Sequence, residues 1–312
     1  MPSYTCTVED SIPPGLRLDR YVAENLKLLS RSQIKARKLQ ARLNGKTVKI
    51  SRLLREGDHL ELSWSEAESP FLLPENLPLD VIYEDNRVIV VNKAQGMVVH
   101  PGAGNKQGTL ANALLYRRGL GTNQSDNSPG LNLIGIRPGI VHRLDKDTSG
   151  VIIAAWDDEA LAFLSDQFKA RKVRKSYAAL VWGCPRDAIG RIEKQIIRSR
   201  RDRKLFTVSD NEGRPSLTYY KVIRTWEDCS LLLLRPKTGR THQIRVHLKY
   251  LGNPVIGDPL YGRLSTGGKH HLKNATLMLH AKSLSLILPG HENPATFKTP
   301  LPQRFREIVS IL

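Results

Sequence analysis

The sequence predicts an α+β protein, in which a domain built on a largely antiparallel mixed sheet flanked by helices follows a small helix-and-hairpin module. Three observations predict it. The chain has 312 residues, and single cores stop growing beyond about 250–300 residues, so two domains are expected. The stretch SEAESPFLLPENLP, residues 65–78, turns acidic and proline-bearing and reads as a linker. From about Leu79 onward, strand-like and helix-like segments alternate with no internal repeat. The expected division is 1–64, a linker at 65–78, and 79–312.

In the first part, Ser30 and Gln33 have capping-box spacing, with Leu29 and Ile34 placed as a hydrophobic staple. The helix expected after them puts Arg31, Lys35, Lys38 and Arg42 on one face and Ala36, Leu39 and Leu43 on a neighbouring apolar stripe. No acid lies between Ser30 and Arg55, so the basic face is suited to phosphates. Asn44-Gly45 then marks a tight turn before a strand at Thr47–Ile50, and Gly57-Asp58 marks another before the alternating His59–Trp64.

In the second part, Val88–Val91 and Val151–Ala155 read as buried strands, and Leu217–Ile223 and Ser230–Leu234 as further strands. Asp157–Lys172 reads as an amphipathic helix, acidic at its start and basic at its end, with Leu161, Leu164 and Phe168 on one side. Thr241–Leu251 reads as a helix closed by Gly252 and Pro254. A Gly-, Asn- and Ser-rich loop is expected over Gly119–Pro138.

The charge balance narrows the partners. A formal net charge of +18 favours polyanions, nucleic acid ahead of an anionic membrane. The three cysteines, Cys6, Cys184 and Cys229, lack the density of a disulfide scaffold and the pairing of a zinc site. The N-terminal MPSYTCTVEDS lacks the order of a signal peptide, and no run approaches a membrane span. A cytoplasmic protein with no membrane partner is expected.

Two segments concentrate chemistry. Arg137–Gly150, RPGIVHRLDKDTSG, places cations, acids and hydroxyls at the mouth of an apolar strand. Lys237–His247, KTGRTHQIRVH, opens a helix on which His242, Arg245 and Lys249 share a face away from Ile244 and Leu248. A cation on that face is placed to hold a carboxylate ionised. Arg198–Lys204 carries five cations against one acid, a run that in an RNA-binding protein favours phosphate contact.

The segment His142–Gly150 closely resembles the signature of the RluA family of pseudouridine synthases, and Thr238–His247 resembles a second signature of that family. Supporting blocks follow in order: Asn92-Lys93, His100-Pro101-Gly102, Gly108-Thr109-Leu110, Lys175-Ser176-Tyr177, Gly257-Asp258-Pro259 and Leu279-His280-Ala281. Ala94 departs from the family's usual proline, and Gly213–Thr218 is less regular than usual. Residues 16–64 are similar to the S-four-type RNA-binding module, through Leu16–Tyr21, Ser30–Gln33, Asn44–Lys46 and Gly57-Asp58.

The resemblance implies an RNA-modifying isomerase that needs neither metal nor cofactor. Asp145 matches the essential aspartate, Tyr177 the tyrosine that stacks on uracil, and Arg245 the arginine that pairs with the aspartate. Arg143 matches a residue that helps fill the space of the flipped nucleotide, and Leu279 lies in a block lining the base pocket. Arg31, Lys35, Lys38, Arg42, Arg201 and Arg203 are the expected phosphate contacts. The motif set is most similar to the ribosomal subgroup, which acts on large-subunit rRNA, particularly the loop of helix 69. Another rRNA site or tRNA is the alternative, and a monomer is expected.

Two other classes compete. A noncatalytic RNA-binding ribosome-assembly protein would be expected to show damage at Asp145, Tyr177 or Arg245, and all three are intact. A metal-dependent hydrolase would have to use His242 and His247, whose five-residue separation places them about 140° apart on a helix rather than on one face.

Overall fold

Short alternating segments pair into a four-stranded antiparallel sheet in the first of two compact units, Met1–Phe71, the second being Leu72–Leu312. The structure is a computed structural model that describes residues 2–9, 12–13, 15–65, 72–102, 104–119, 139–262 and 275–312. The expected loop at 119–138 lies outside these almost entirely, as do Arg137 and Pro138, and so does part of the expected linker, at 66–71.

The small unit runs β1 (Ser3–Thr7), α1 (Leu18–Arg20) continued by a wider turn over Tyr21–Asn25, α2 (Arg31–Ala36), β2 (Gln40–Leu43), β3 (Lys46–Val48) and β4 (His59–Ser63). Its sheet order is β1-β4-β2-β3. The capping box forms: Ser30 N donates to Gln33 Oε1 at 2.8 Å, and Gln33 N to Ser30 Oγ at 3.4 Å. Leu29 and Ile34 are buried beside Leu18, Tyr21, Leu60 and Leu62.

The helix expected to reach Leu43 stops at Ala36. Lys38 adopts a left-handed conformation, φ 49°, and Arg42 stands on β2. The physical reason is that Leu39, Ala41 and Leu43 also satisfy a period of two; Ala41 and Leu43 pair with β4, and all three are buried. Arg31, Lys38 and Arg42 therefore share no helical face, and the side chain of Lys35 lies outside what the structure describes. Asn44-Gly45 does form the expected tight turn, with φ of 50° and 76°, but it joins two strands.

The large unit continues with β5 (Asp80–Glu84), β6 (Val88–Lys93), α3 (Leu110–Arg117), β7 (Ser149–Ala155), α4 (Asp158–Lys169), β8 (Arg174–Trp182), β9 (Ile189–Arg198), β10 (Phe206–Ser209), β11 (Arg214–Thr225), β12 (Cys229–Pro236), α5 (Gln243–Tyr250), β13 (Leu279–Ile287), β14 (Pro294–Lys298) and α6 (Gln303–Ser310). Its sheet runs β10-β9-β11-β12-β8-β13-β7-β6-β5, with β14 added on β13. Among the described strands, every pairing is antiparallel except β13 with β7, which meet in parallel over His280–Ser149 and Ala281–Gly150.

All seven residues of β7 are buried. A strand covered on both faces reads as a continuous apolar run. Ile152 and Ala154 pack with Leu110, Leu114 and Leu115 of α3, while Val151, Ile153 and Ala155 pack with Ala160 and Leu164 of α4. A third core joins β8, β12 and β13 to Ile244 and Leu248 of α5 and Phe305 of α6. The short parallel junction between β13 and β7 thus lies between two well-packed halves, at the strand ends where the first signature segment enters. Among the described residues, no helix is long and apolar enough to cross a membrane.

Candidate active site

Asp145 sits in the turn that feeds β7. Its carbonyl accepts Thr148 N at 3.1 Å, closing the turn. The next carbonyl, that of Lys146, accepts Gly96 N at 3.0 Å and Lys93 Nζ at 3.1 Å. Lys93 is 1% exposed and also donates to the carbonyls of Ala94 and Met97, at 2.9 and 2.7 Å. Gln95 Nε2 adds a bond to the Asp147 carbonyl. The turn carrying Asp145 is therefore docked on the end of β6 rather than left free. Burial brings the Lys93 ammonium down to about 8, against the pull of Asp147 and Asp145.

His142 anchors the segment from the other side. Its Nε2 accepts Ile153 N at 3.1 Å and its ring stacks on Phe168 at 4.6 Å. Burial, with the charge of Lys175, lowers its pKa to about 3, so the ring stays neutral and can accept. Two glycines bracket the segment. A Cβ on Gly139 would lie 1.7 Å from the Ala155 carbonyl oxygen, and one on Gly150 2.2 Å from that of Ala281. Only glycine lets this loop and β7 approach their neighbours so closely.

The helix α5 supplies the cation. Arg245 is 4% exposed. Its Nη1 donates to Asp145 Oδ2 at 3.2 Å, while Nε and Nη2 grip Asp258 in a bidentate pair, both at 2.7 Å. Asp258 Oδ1 further accepts the backbone N–H groups of Leu260 and Tyr261. Burial works to raise the Asp258 carboxyl, but the Arg245 bond and charge and the two backbone bonds outweigh it and hold it low. For Arg245, burial would lower the pKa, and Asp258 and then Asp145 more than reverse that. The guanidinium also lies 5.1 Å from the centre of the Tyr261 ring.

Tyr177 faces the same space from β8, where it pairs with Ala281 of β13 and Leu234 of β12. Its hydroxyl pKa is raised, first by burial and then by the negative charge of Asp145. Asp145, Tyr177, Arg245, Arg143 and Leu279 all line one cavity of about 580 Å³. The structure thus brings together all five of the site residues expected in this domain from the two signatures and their supporting blocks.

A sequence profile of the RNA pseudouridylate synthase family matches residues 87–250, more than half the chain. The chain belongs to the RNA pseudouridylate synthase family. It is 42% identical to the ribosomal large subunit pseudouridine synthase D of Borreliella burgdorferi over 298 residues, covering 93% of this chain and 88% of that one. It is 37% identical to the protein of the same name in Xanthomonas campestris pv. campestris, covering 96% and 89% of the two chains. Among solved structures, human RNA pseudouridylate synthase domain containing 1 superposes with a TM-score of 0.56 at 27% identity, covering 79% of this chain and 96% of that one. This RluA-type pseudouridine synthase is accordingly an isomerase with RNA as its substrate.

Other expected residues of this synthase lie elsewhere. Arg201 and Arg203 are exposed in the turn between β9 and β10, where Arg198 Nη1 donates to the Arg203 carbonyl at 2.8 Å. Arg31 and Arg42, in the small unit, have acidic neighbours: Arg31 lies 3.8 Å from Asp19 and Arg42 3.7 Å from Glu61. His242 and His247 turn to different partners, Tyr261 at 2.8 Å and Thr218 at 3.0 Å, so they form no pair. Two residues mattered more than their supporting blocks suggested. Asp258 is an acid at the end of the apolar Pro254–Gly257 stretch, and Lys93 is a cation ending an apolar strand. A buried charge in an apolar run has to have a partner, and that signal was readable.

Proposed function

We propose that this chain converts uridines to pseudouridines in large-subunit ribosomal RNA, with Asp145, Tyr177 and Arg245 as its catalytic residues. The reaction breaks the bond from ribose C1′ to uracil N1, turns the base, and rejoins C1′ to C5, with the C5 proton lost and N1 protonated. A carboxylate facing the sugar, an aromatic plane beside the detached base, and a cation fixing the carboxylate meet these demands. One observation carries the reading: Asp145 places one oxygen on a buried arginine that a second carboxylate already holds, inside a cavity that Tyr177 also lines. Arg245 orients the Asp145 carboxylate that either nucleophilic attack or sugar deprotonation requires. Tyr177, its hydroxyl raised, rests as a neutral phenol suited to stacking.

The substrate class follows the Borreliella burgdorferi and Xanthomonas campestris relatives, which are named as large-subunit synthases. The loop of helix 69, free or in a precursor particle, is the narrower target. Residues 1–64 act as an S-four-type RNA-binding module joined by the linker at 65–78 to the catalytic domain, 79–312. Arg143 and Leu279 border the flipped nucleotide, and Arg201 and Arg203 meet phosphates. The few, widely spaced cysteines Cys6, Cys184 and Cys229 support work in a reducing cytoplasm, and the chain acts as a monomer.

The test is tritium release from RNA labelled at uridine C5, comparing this protein with Asp145→Asn. Large-subunit rRNA, immature large subunits and bulk tRNA are offered in parallel. Release from large-subunit rRNA or the particle, lost with Asp145→Asn, is expected. Release from tRNA alone would overturn the substrate class, and RNA binding with no release would point to a noncatalytic binder.

A further inference from the structure

One corner of the catalytic cavity is cationic, and among the described residues no acid pairs with it. Of the charged residues lining the cavity, Asp145 is the sole acid among those described, and it is engaged by Arg245. Besides Arg143, Lys169 and Lys237, the lining carries Arg171, Lys175 and Arg240. None has an acidic partner among the described residues. Arg240 Nε is buried and makes no hydrogen bond. Leaving a buried guanidinium donor unsatisfied is costly, and folds retain such groups where an outside partner completes them. Burial and the charges of Arg214 and Arg171 press on the same side chain, lowering its pKa.

The corner is also held rigidly. Arg240 N donates to Gln243 Oε1 at 3.0 Å, and Thr238 Oγ1 donates to the same oxygen at 2.7 Å. Gln243 Nε2 donates to the Leu217 carbonyl and to Thr218 Oγ1, while Leu217 N donates to Thr238 Oγ1. The turn that presents Arg240 is thereby stitched to β11. Arg171 reaches the cavity from a left-handed residue, φ 58°, just past the end of α4. Lys175 comes from β8, two residues before Tyr177, with its Nζ 3.8 Å from where a Cβ on Gly239 would stand. Three separate elements thus converge unpaired cations beside the base pocket.

We propose that Arg240, Arg171 and Lys175 form an anion subsite that takes a phosphodiester of the substrate RNA next to the uridine being isomerised. The proposal rests on the chain acting on uridines at Asp145. A guanidinium with a free Nε edge offers planar donors matched to phosphate oxygens, and two further cations complete the charge. The anchored phosphate fixes the backbone beside an extruded nucleotide, so the subsite contributes mainly to binding and orientation.

The test pairs Arg240→Gln and Arg240→Lys with substrate RNAs in which single phosphates flanking the target uridine are replaced by neutral methylphosphonates. With wild-type protein, one such RNA is expected to show KM raised about tenfold or more, as for loss of a charge-assisted hydrogen bond. Arg240→Gln should raise KM similarly on unmodified RNA, show no added loss on that one methylphosphonate RNA, and lower the salt slope of binding by about one phosphate. Arg240→Lys should recover part of the loss. If Arg240→Gln does not fold by circular dichroism, Arg171→Gln replaces it in the same cycle. Independent, multiplying losses at every flanking phosphate, or an unchanged KM and salt slope, would overturn the subsite while leaving the tritium release of wild-type protein intact. Absence of release from wild-type protein on every RNA would instead strike the reading on which the subsite rests.

Discussion

Arg245 answers two carboxylates of unequal kind. Asp258 has a side chain 0% exposed and takes two short bonds, whereas Asp145 is 18% exposed and takes one bond of 3.2 Å. The first pair is a buried structural joint, and the second leaves the Asp145 carboxylate oriented but open to the cavity. Breaking a buried pair by removing one partner typically costs about 3–5 kcal/mol, because the other charge stays buried. Asp258→Asn is therefore expected to lower Tm by roughly 10 °C and to reduce kcat, since Arg245 loses the anchor that fixes its position toward Asp145. Thermal melts and C5 tritium release on the same preparations check this. A Tm within about two degrees of wild type would show that the pair contributes little and that Asp145 alone holds Arg245.

The next scale is the docked turn at the end of β6. Lys93 Nζ gives one hydrogen bond each to the carbonyls of Ala94, Met97 and Lys146, so one ammonium ties two loops to the turn of Asp145. Lys93→Met keeps the shape and removes all three donors, each lost partner costing about 1–3 kcal/mol before the relief of removing a buried charge. The expected result is a kcat reduced about tenfold or more, by misplacement of the carboxylate, with RNA affinity held. A pH signature separates this role from simple loss of packing. Lys93 has a pKa of about 8 in the fold and about 10.4 in an unfolded chain. Below pH 8 both states carry the proton, and between these values the unfolded chain binds more protons, so stability rises with pH there, by up to about 1.4 kcal/mol per unit. Urea titrations at stepped pH across that window should show the rise in the wild type and its loss in Lys93→Met; parallel curves would assign the behaviour to another group.

What was legible at this scale follows from periodicity. Val151–Ala155 was readable because a strand covered on both faces is apolar throughout, and Asp157 was placed to begin α4, where its side chain accepts Ala160 N. The segment after Ala36 was not, because Leu39, Ala41 and Leu43 fit either period and only pairing with β4 decides. The edge strand β1 and the parallel contact of β13 with β7 depend on partners far along the chain. The resemblance named Asp145, Tyr177 and Arg245, yet the fork of Arg245 onto Asp258 is a tertiary fact. Residue spacing carries no information on which of two acids an arginine grips.

At the scale of the whole molecule, charge is divided unevenly. Met1–Phe71 holds twelve cations against nine acids, a net of +3, so Leu72–Leu312 retains +15 of the total +18. Within the small unit, nine of the twelve cations fall between Arg31 and Arg55, with no acid among them. Bulk attraction to RNA is thus a property of the larger unit, while the smaller one offers a local basic segment on its own core of Leu18, Tyr21, Leu60 and Leu62. Every residue lining the cavity around Asp145 belongs to Leu72–Leu312. Deleting residues 1–71 should therefore leave turnover on saturating RNA largely in place. Affinity for structured large-subunit RNA should fall about tenfold or more, the loss expected when one of two linked binding modules is removed. Affinity for unstructured RNA, governed by the +15 that remains, should fall much less, with a salt slope close to that of the full chain. Filter binding at several salt concentrations, beside single-turnover tritium release, reads both quantities. Equal losses on the two RNAs would mean that the small unit adds only charge, and no loss on either would remove it from RNA recognition.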